Sequence, residues 1–75
     1  MTLQEKLQKL VDELDNTMDQ MDPDDSMIGQ VDQLHERAEL ALKRATAQPK
    51  DSMEIYEYLT MRFRELQPQL QLETA

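Results

Sequence analysis

Cysteine is absent from this 75-residue chain, and glycine and histidine occur once each. Without cysteine no disulfide can brace the fold and no thiolate metal site can form, which fits a reducing compartment. Folding removes only about 60% of the surface of so short a chain from water, so we expect marginal stability. Small domains that lack a disulfide need another source of stability. We therefore expect another polypeptide to stabilise this one.

Long apolar runs are also missing. The opening MTLQEKL has no basic region followed by an apolar core, and no run approaches the roughly 18 residues needed to cross a bilayer. We therefore expect a cytoplasmic, soluble protein without membrane insertion.

Positive charge is scarce. Sixteen acidic and eight basic residues give a net charge of −8, which repels nucleic-acid phosphates and anionic lipids. We expect no nucleic-acid partner. The charge is uneven, because residues 1–34 contain nine acids and only two lysines. The acidic half of the chain thus comprises the first amphipathic segment and the loop after it.

Three amphipathic segments are present, and their apolar spacing predicts an all-α fold in a single domain. Thr2 and Glu5 form a T-x-x-E capping box at the start of the first segment. Pro49 is expected to end the second helix, and the short connection around it predicts that the second and third helices form an antiparallel hairpin. The expected elements are a helix over 3–21, a helix over 27–47, a helix over 52–67 and a frayed tail over 68–75.

The apolar stripes of these helices suggest a protein-binding surface. The first stripe consists of Leu3, Leu7, Leu10, Leu14, Met18 and Met21. Since the other two helices already share one seam, we expect the first helix to leave an apolar face uncovered, which is typical of a protein that binds a partner or itself. The residues expected at the hairpin seam and the partner contact are Leu7, Leu10, Leu14, Val31, Leu34, Ile55, Leu59, Phe63 and Leu66.

Metal binding and catalysis find little support. The aspartates of DQMDPDD do not fit a calcium loop, because Met27 and His35 fall where such a loop needs glycine and glutamate. His35 could bind a metal only with nearby carboxylates, and we interpret it as a packing residue. No nucleophile, base and oxyanion donor can be assembled from these residues. We therefore expect no enzyme, no metal and no cofactor.

A row of four aspartates on the first helix offers an alternative function. Its members are Asp12, Asp15, Asp19 and Asp22. Such a row could mimic nucleic-acid phosphates and bind a basic protein. A solvated helix face gives the same pattern, and we prefer that interpretation.

The segment ALKRATAQPKDSMEIYEYL, residues 41–59, resembles the hairpin of the small type III secretion needle-complex proteins. The matching residues are Ala41, Leu42, Pro49, Asp51, Glu57 and Tyr58. The family contains needle subunits and short acidic co-chaperones, which are helical hairpins with an aspartate and a tyrosine at the start of the last helix. A needle subunit continues into a long apolar C-terminal helix, whereas this chain has Pro68 and ends in polar QLETA.

The resemblance therefore favours the co-chaperone. It implies a complex with a needle subunit and a helical-repeat chaperone, in which the subunit stays soluble and monomeric before export. Covering the apolar face of a polymerising helix removes the template for the next subunit. The alternative is a structural needle-type subunit or a homo-oligomeric helical bundle, with weak self-association.

Overall fold

Three α-helices make up the fold in the computed structural model, which describes residues 1–70. Helix α1 spans Leu3–Gln20, α2 spans Ile28–Arg44 and α3 spans Pro49–Leu66. A single 3-10 turn, Gln67–Gln69, follows α3. No strand occurs in the described part, and α3 packs against α2, so the all-α fold with its helical hairpin is confirmed. Of the tail predicted to fray over 68–75, residues 68 and 69 lie in the 3-10 turn and Leu70 is half-buried against the core, whereas 71–75 lie outside the described residues.

Helix α1 begins and ends through local chemistry. The Thr2 hydroxyl oxygen accepts a hydrogen bond from the Glu5 backbone N–H at 3.2 Å, which is the Thr2 half of the predicted capping box. The Glu5 carboxylate accepts from the Thr2 hydroxyl and not from the Thr2 backbone N–H, so the other half of the box is not formed among residues 1–70. The helix ends one residue before the predicted limit, because Met21 has an extended backbone with ψ of 148°. Pro23 lies two residues further on and disfavours helical geometry at Asp22.

The connection between α2 and α3 differs from the prediction. Helix α2 ends at Arg44, three residues before the expected end, and α3 begins at Pro49, three residues before the expected start. Proline is favoured in the first helical turn, because its fixed φ suits the helix and its missing N–H would be unpaired there. Pro49 therefore opens α3, and its assignment as the end of the second helix is wrong.

The core contains side chains from all three helices. Leu7 and Leu14 of α1, Val31 of α2 and Leu59 of α3 are each 0% exposed. Alanines occupy positions 38 and 41 in the later half of α2 and position 45 directly after its end, and all three are buried, which lets the neighbouring helices approach closely.

Helix α1 has no uncovered apolar face. Of its predicted stripe, Leu7, Leu10, Leu14 and Met21 are buried. Leu3 and Met18 are half-buried and pack against the core. The expectation of a leftover face on this helix is therefore wrong, because α1 docks along the hairpin and covers it.

The outer surface is mostly polar. The large hydrophobic side chains left exposed are Met1, Leu40, Tyr58 and Met61. Within residues 1–70, the helices are too short or too polar to cross a lipid bilayer.

Candidate protein-docking groove

The residues predicted for partner contact lie mainly inside the bundle. Eight of the nine are buried, and Ile55 is half-buried. Val31 and Leu34 of α2 form one cluster with Leu59, Phe63 and Leu66 of α3, which is the predicted hairpin seam, and Leu10 and Leu14 of α1 belong to the same cluster. Leu7 packs against Ala41 and Ala45 in a second cluster. Leu34, Ile55, Leu59 and Leu66 also line the outer side of the α2/α3 seam. Partner binding through Leu7, Leu14 and Val31, each 0% exposed, would require α1 to leave the bundle. Partner binding by any of the nine stays a prediction.

An apolar groove runs along the outer side of the α2/α3 seam, away from α1. Leu40 of α2 and Tyr58 of α3 line it, and each is 46% exposed although both are large apolar side chains. Ala41, Ile55 and Leu59 form the floor between them. The cavity at this end of the groove measures about 310 Å³.

The groove continues along both helices as a second cavity of about 200 Å³. The two cavities share Arg37 and Tyr58, so they form one surface, here named the α2/α3 groove. On α2 the groove extends from Gln30 to Arg44, which corresponds to about 21 Å of helix. Its full lining is Gln30, Gln33, Leu34, Arg37, Leu40, Ala41, Arg44, Ile55, Tyr58, Leu59, Arg62 and Leu66.

The charge of the α2/α3 groove is opposite to that of the whole chain. Among the described residues, its lining contains Arg37, Arg44 and Arg62 and no carboxylate. Arg62 pairs with Glu65 at 2.9 Å, whereas Arg37 and Arg44 form no ion pair within the described residues. A chain with a net charge of −8 thus presents positive charge beside its exposed apolar side chains.

A buried hydrogen bond fixes the register of the two helices that form the groove. The Ser52 hydroxyl donates to the Ala41 backbone carbonyl oxygen at 3.0 Å. Ala41 also lines the groove, so this bond positions the groove floor. Because the bond joins the start of α3 to the end of α2, it sets Leu40 opposite Ile55 and Tyr58.

The structure also places the two other candidates from the sequence, His35 and the aspartate row of α1. His35 is half-buried, and its Nδ1 lies 2.9 Å from Oε1 of Glu39, one helical turn along α2. No group of histidine and carboxylate side chains in the described chain could hold a metal ion. The aspartate row, Asp12, Asp15, Asp19 and Asp22, is exposed throughout.

Sequence reasoning missed Leu40 and the two arginines of α2, and it singled out Tyr58 only through the family resemblance and not as a partner-binding residue. Leu40 and Tyr58 lie outside the apolar stripes, so periodicity alone assigns them to the solvated faces. One signal in the sequence could have indicated this surface: Leu40 has an arginine three residues before it, Arg37, and another four residues after it, Arg44. One face of a helix carries residues with this spacing.

Comparison with known proteins gives no assignment. No protein-family model matches the chain, and no curated protein sequence or solved structure is detectably similar to it.

Proposed function

We propose that this chain is a protein-binding co-chaperone whose α2/α3 groove holds an amphipathic helix of its partner. The single observation that carries the proposal is the exposure of Leu40 and Tyr58 on either side of an apolar floor. Exposed apolar grooves of this kind commonly bind a helix through residues spaced three and four apart. The groove borders about 21 Å of α2, or about four helical turns, and its apolar part, from Arg37 to Arg44, covers about half of that length.

The charge of the groove specifies the partner helix further. Arg37 and Arg44 lie on the α2 side, one on each flank of Leu40, and neither has an ion-pair partner among residues 1–70. A helix with an apolar stripe bordered by glutamate or aspartate on the side that faces α2 would satisfy both arginines. Arginine also forms two parallel hydrogen bonds with a carboxylate, which fixes the orientation of the helix.

The resemblance of residues 41–59 to needle-complex hairpins supports a specific partner. Two of the matching residues, Ala41 and Tyr58, line the groove. We therefore propose that the partner is a type III secretion needle subunit, held with a helical-repeat chaperone in the cytoplasm before export. Occupation of the groove by the subunit's polymerising helix would keep that helix from the next subunit.

Co-expression with a needle subunit tests this function. We expect the wild-type chain to co-purify with the subunit and to keep it monomeric in sedimentation velocity. The double variant Leu40→Ser/Tyr58→Ser should weaken binding by about tenfold or more, because it removes two apolar anchors. Both side chains are about half exposed, so the variant should keep the helical circular dichroism of the wild type.

Met61→Ser is the matched control, because Met61 is a 54% exposed apolar residue of α3 outside the groove lining. It should bind like the wild type. A subunit that polymerises equally with and without the chain would overturn the proposal, as would a double variant that binds normally. Concentration-dependent assembly of the chain alone, abolished by the double variant, would instead support the homo-oligomeric alternative.

A further inference from the structure

We propose that a cleft between α1 and α3 is a binding site for a phosphate group. This α1/α3 cleft lies on the opposite side of α3 from the groove, and no residue lines both. Its volume is about 210 Å³, equivalent to about seven water molecules. It is therefore large enough for a phosphate group with a small substituent. The inference is independent of the proposed function.

Positively charged side chains line this cleft, although acidic residues outnumber basic ones by two to one in the chain. Lys6 and Lys9 line it from α1, and Arg64 lines it from α3. Among the described residues its lining contains one acid, Glu13, which leaves an excess of two positive charges within the cleft; an adjoining cavity that shares Tyr56, Thr60 and Arg64 with it adds Glu57 and Glu65. A phosphate monoester carries about −1.5 to −2 charges at neutral pH, so its charge matches that excess.

None of the three cations has an ion-pair or hydrogen-bond partner in the described part of the protein. The two ion pairs found there join His35 to Glu39 and Arg62 to Glu65. Lys6, Lys9 and Arg64 donate no side-chain hydrogen bond within residues 1–70. Lys6 is moreover half-buried, where the attraction between its ammonium group and a bound anion is screened less than in open solvent.

Neutral polar groups complete the lining of the cleft. Tyr56 and Gln67 contribute a phenol and an amide, both able to donate hydrogen bonds to phosphate oxygens. Thr60 lines the same cleft, and its hydroxyl oxygen is buried without a hydrogen-bond partner in the described chain. Leu10 and Phe63, both buried, form the apolar part of the wall. The cleft thus combines cations, neutral donors and a partly dry wall, which strengthens charge-assisted hydrogen bonds.

Binding at this cleft would connect α1 to α3. The cations come from both helices, so a phosphate group between them would bind only the docked arrangement. A ligand that binds the folded form alone raises the melting temperature by mass action. The expected consequence is a protein whose first helix is held more firmly when phosphate is bound.

Inorganic phosphate is the probe for the experiment. We expect it to raise the melting temperature by about 5 °C or more at saturation, in comparison with sodium chloride and sodium acetate at the same ionic strength and with Arg64→Gln in the same phosphate, because phosphate also stabilises folded proteins without binding to a site. Amide shifts in two-dimensional NMR should saturate around residues 6–13 and 56–67. Residues 37–44 of the α2/α3 groove should not respond.

Arg64→Gln and Lys9→Gln test the residues, since both side chains are exposed and neither change should prevent folding. We expect each to weaken phosphate binding about tenfold, because each removes a charge-assisted hydrogen bond. Arg62→Gln is the matched control: it removes the same charge from the same helix on the groove side and should bind phosphate normally. Equal shifts with chloride and acetate, or an unchanged response of Arg64→Gln, would overturn the site.

A phosphoserine peptide distinguishes the source of the phosphate group. Tighter binding of this peptide than of inorganic phosphate would support the site and identify a phosphorylated protein as the ligand. Equal or weaker binding would support the site with free phosphate or a small phosphate ester. Binding of neither probe would overturn the proposal.

Discussion

The Ser52 hydroxyl donates a hydrogen bond to the Ala41 carbonyl oxygen at 3.0 Å, and Ser52 is 1% exposed. Ala41 is in the last turn of α2, where carbonyl groups lose their helical partners. The Ala45 N–H, which could reach this oxygen in a continuing helix, bonds instead to the Leu42 carbonyl at 3.3 Å. Ser52 thus supplies from α3 the donor that α2 lacks at its end.

We predict that Ser52→Ala destabilises the protein by about 1–3 kcal/mol, because it leaves a buried carbonyl oxygen without a donor. Urea denaturation followed by circular dichroism measures the change in the free energy of unfolding. Ser26→Ala provides the control, since Ser26 is exposed and should change stability by less than about 0.5 kcal/mol. Equal stability of the two variants would show that the hydrogen bond contributes nothing net.

Docking of α1 on the hairpin is tested by Leu14→Ala. Leu14 is 0% exposed and belongs to the cluster that contains Val31 and Leu59. The substitution should lower the free energy of unfolding by about 2–5 kcal/mol, because it removes buried apolar surface and leaves a cavity. Leu40→Ala makes the same chemical change at a half-exposed position and should cost less than about 1 kcal/mol. If the two variants proved equally stable in urea, α1 would not be docked in solution.

The start of α1 depends on Thr2. Its hydroxyl oxygen accepts from the Glu5 N–H, so Thr2→Ala should cost about 0.5–2 kcal/mol, whereas Thr2→Ser keeps the acceptor and should cost little. Hydrogen exchange of the amides of residues 3–6 reports the fraying directly. Faster exchange in the alanine variant alone is the expected result, and equal exchange in both variants would contradict the cap.

The three helices can be predicted from the sequence because apolar periodicity and the Thr2 cap are local signals. The C-terminal end of α2 and the start of α3 cannot be predicted in this way, since Pro49 is compatible both with ending one helix and with opening the next. Thr17 and Ser52 were missed as core residues because a polar side chain interrupts an apolar stripe. Their hydroxyl groups bond to the Glu13 and Ala41 carbonyl oxygens, which permits their burial.

The candidate groove could be identified only from the packed structure. Leu40 and Tyr58 are 18 positions apart in the chain and lie outside the stripes, so only the register of α2 against α3 brings them to one surface. The docking of α1 on the hairpin could not be predicted from the sequence either. Six apolar side chains on one helix indicate a buried face, but they do not distinguish burial within the chain from burial against a partner.

The acidic face of α1 carries a repulsion that one substitution should relieve. Asp12, Asp15 and Asp19 are exposed and follow one another at steps of three and four, so they are neighbours on the helix surface. Asp15→Lys replaces two repulsive neighbour pairs by two attractive ones. We predict an increase of about 0.5 kcal/mol in the free energy of unfolding, or about 2–4 °C in melting temperature.

Salt provides the control for that prediction. The gain from Asp15→Lys should disappear at 1 M sodium chloride, where charges are screened beyond about 3 Å. Wild-type protein should itself become more stable as salt is raised from low concentration, because self-repulsion at a net charge of −8 outweighs the few ion pairs described. Melting curves of both proteins over a range of salt concentrations measure the two effects together. A gain that persists in high salt would assign the stabilisation to the higher helix propensity of lysine, and not to relief of repulsion.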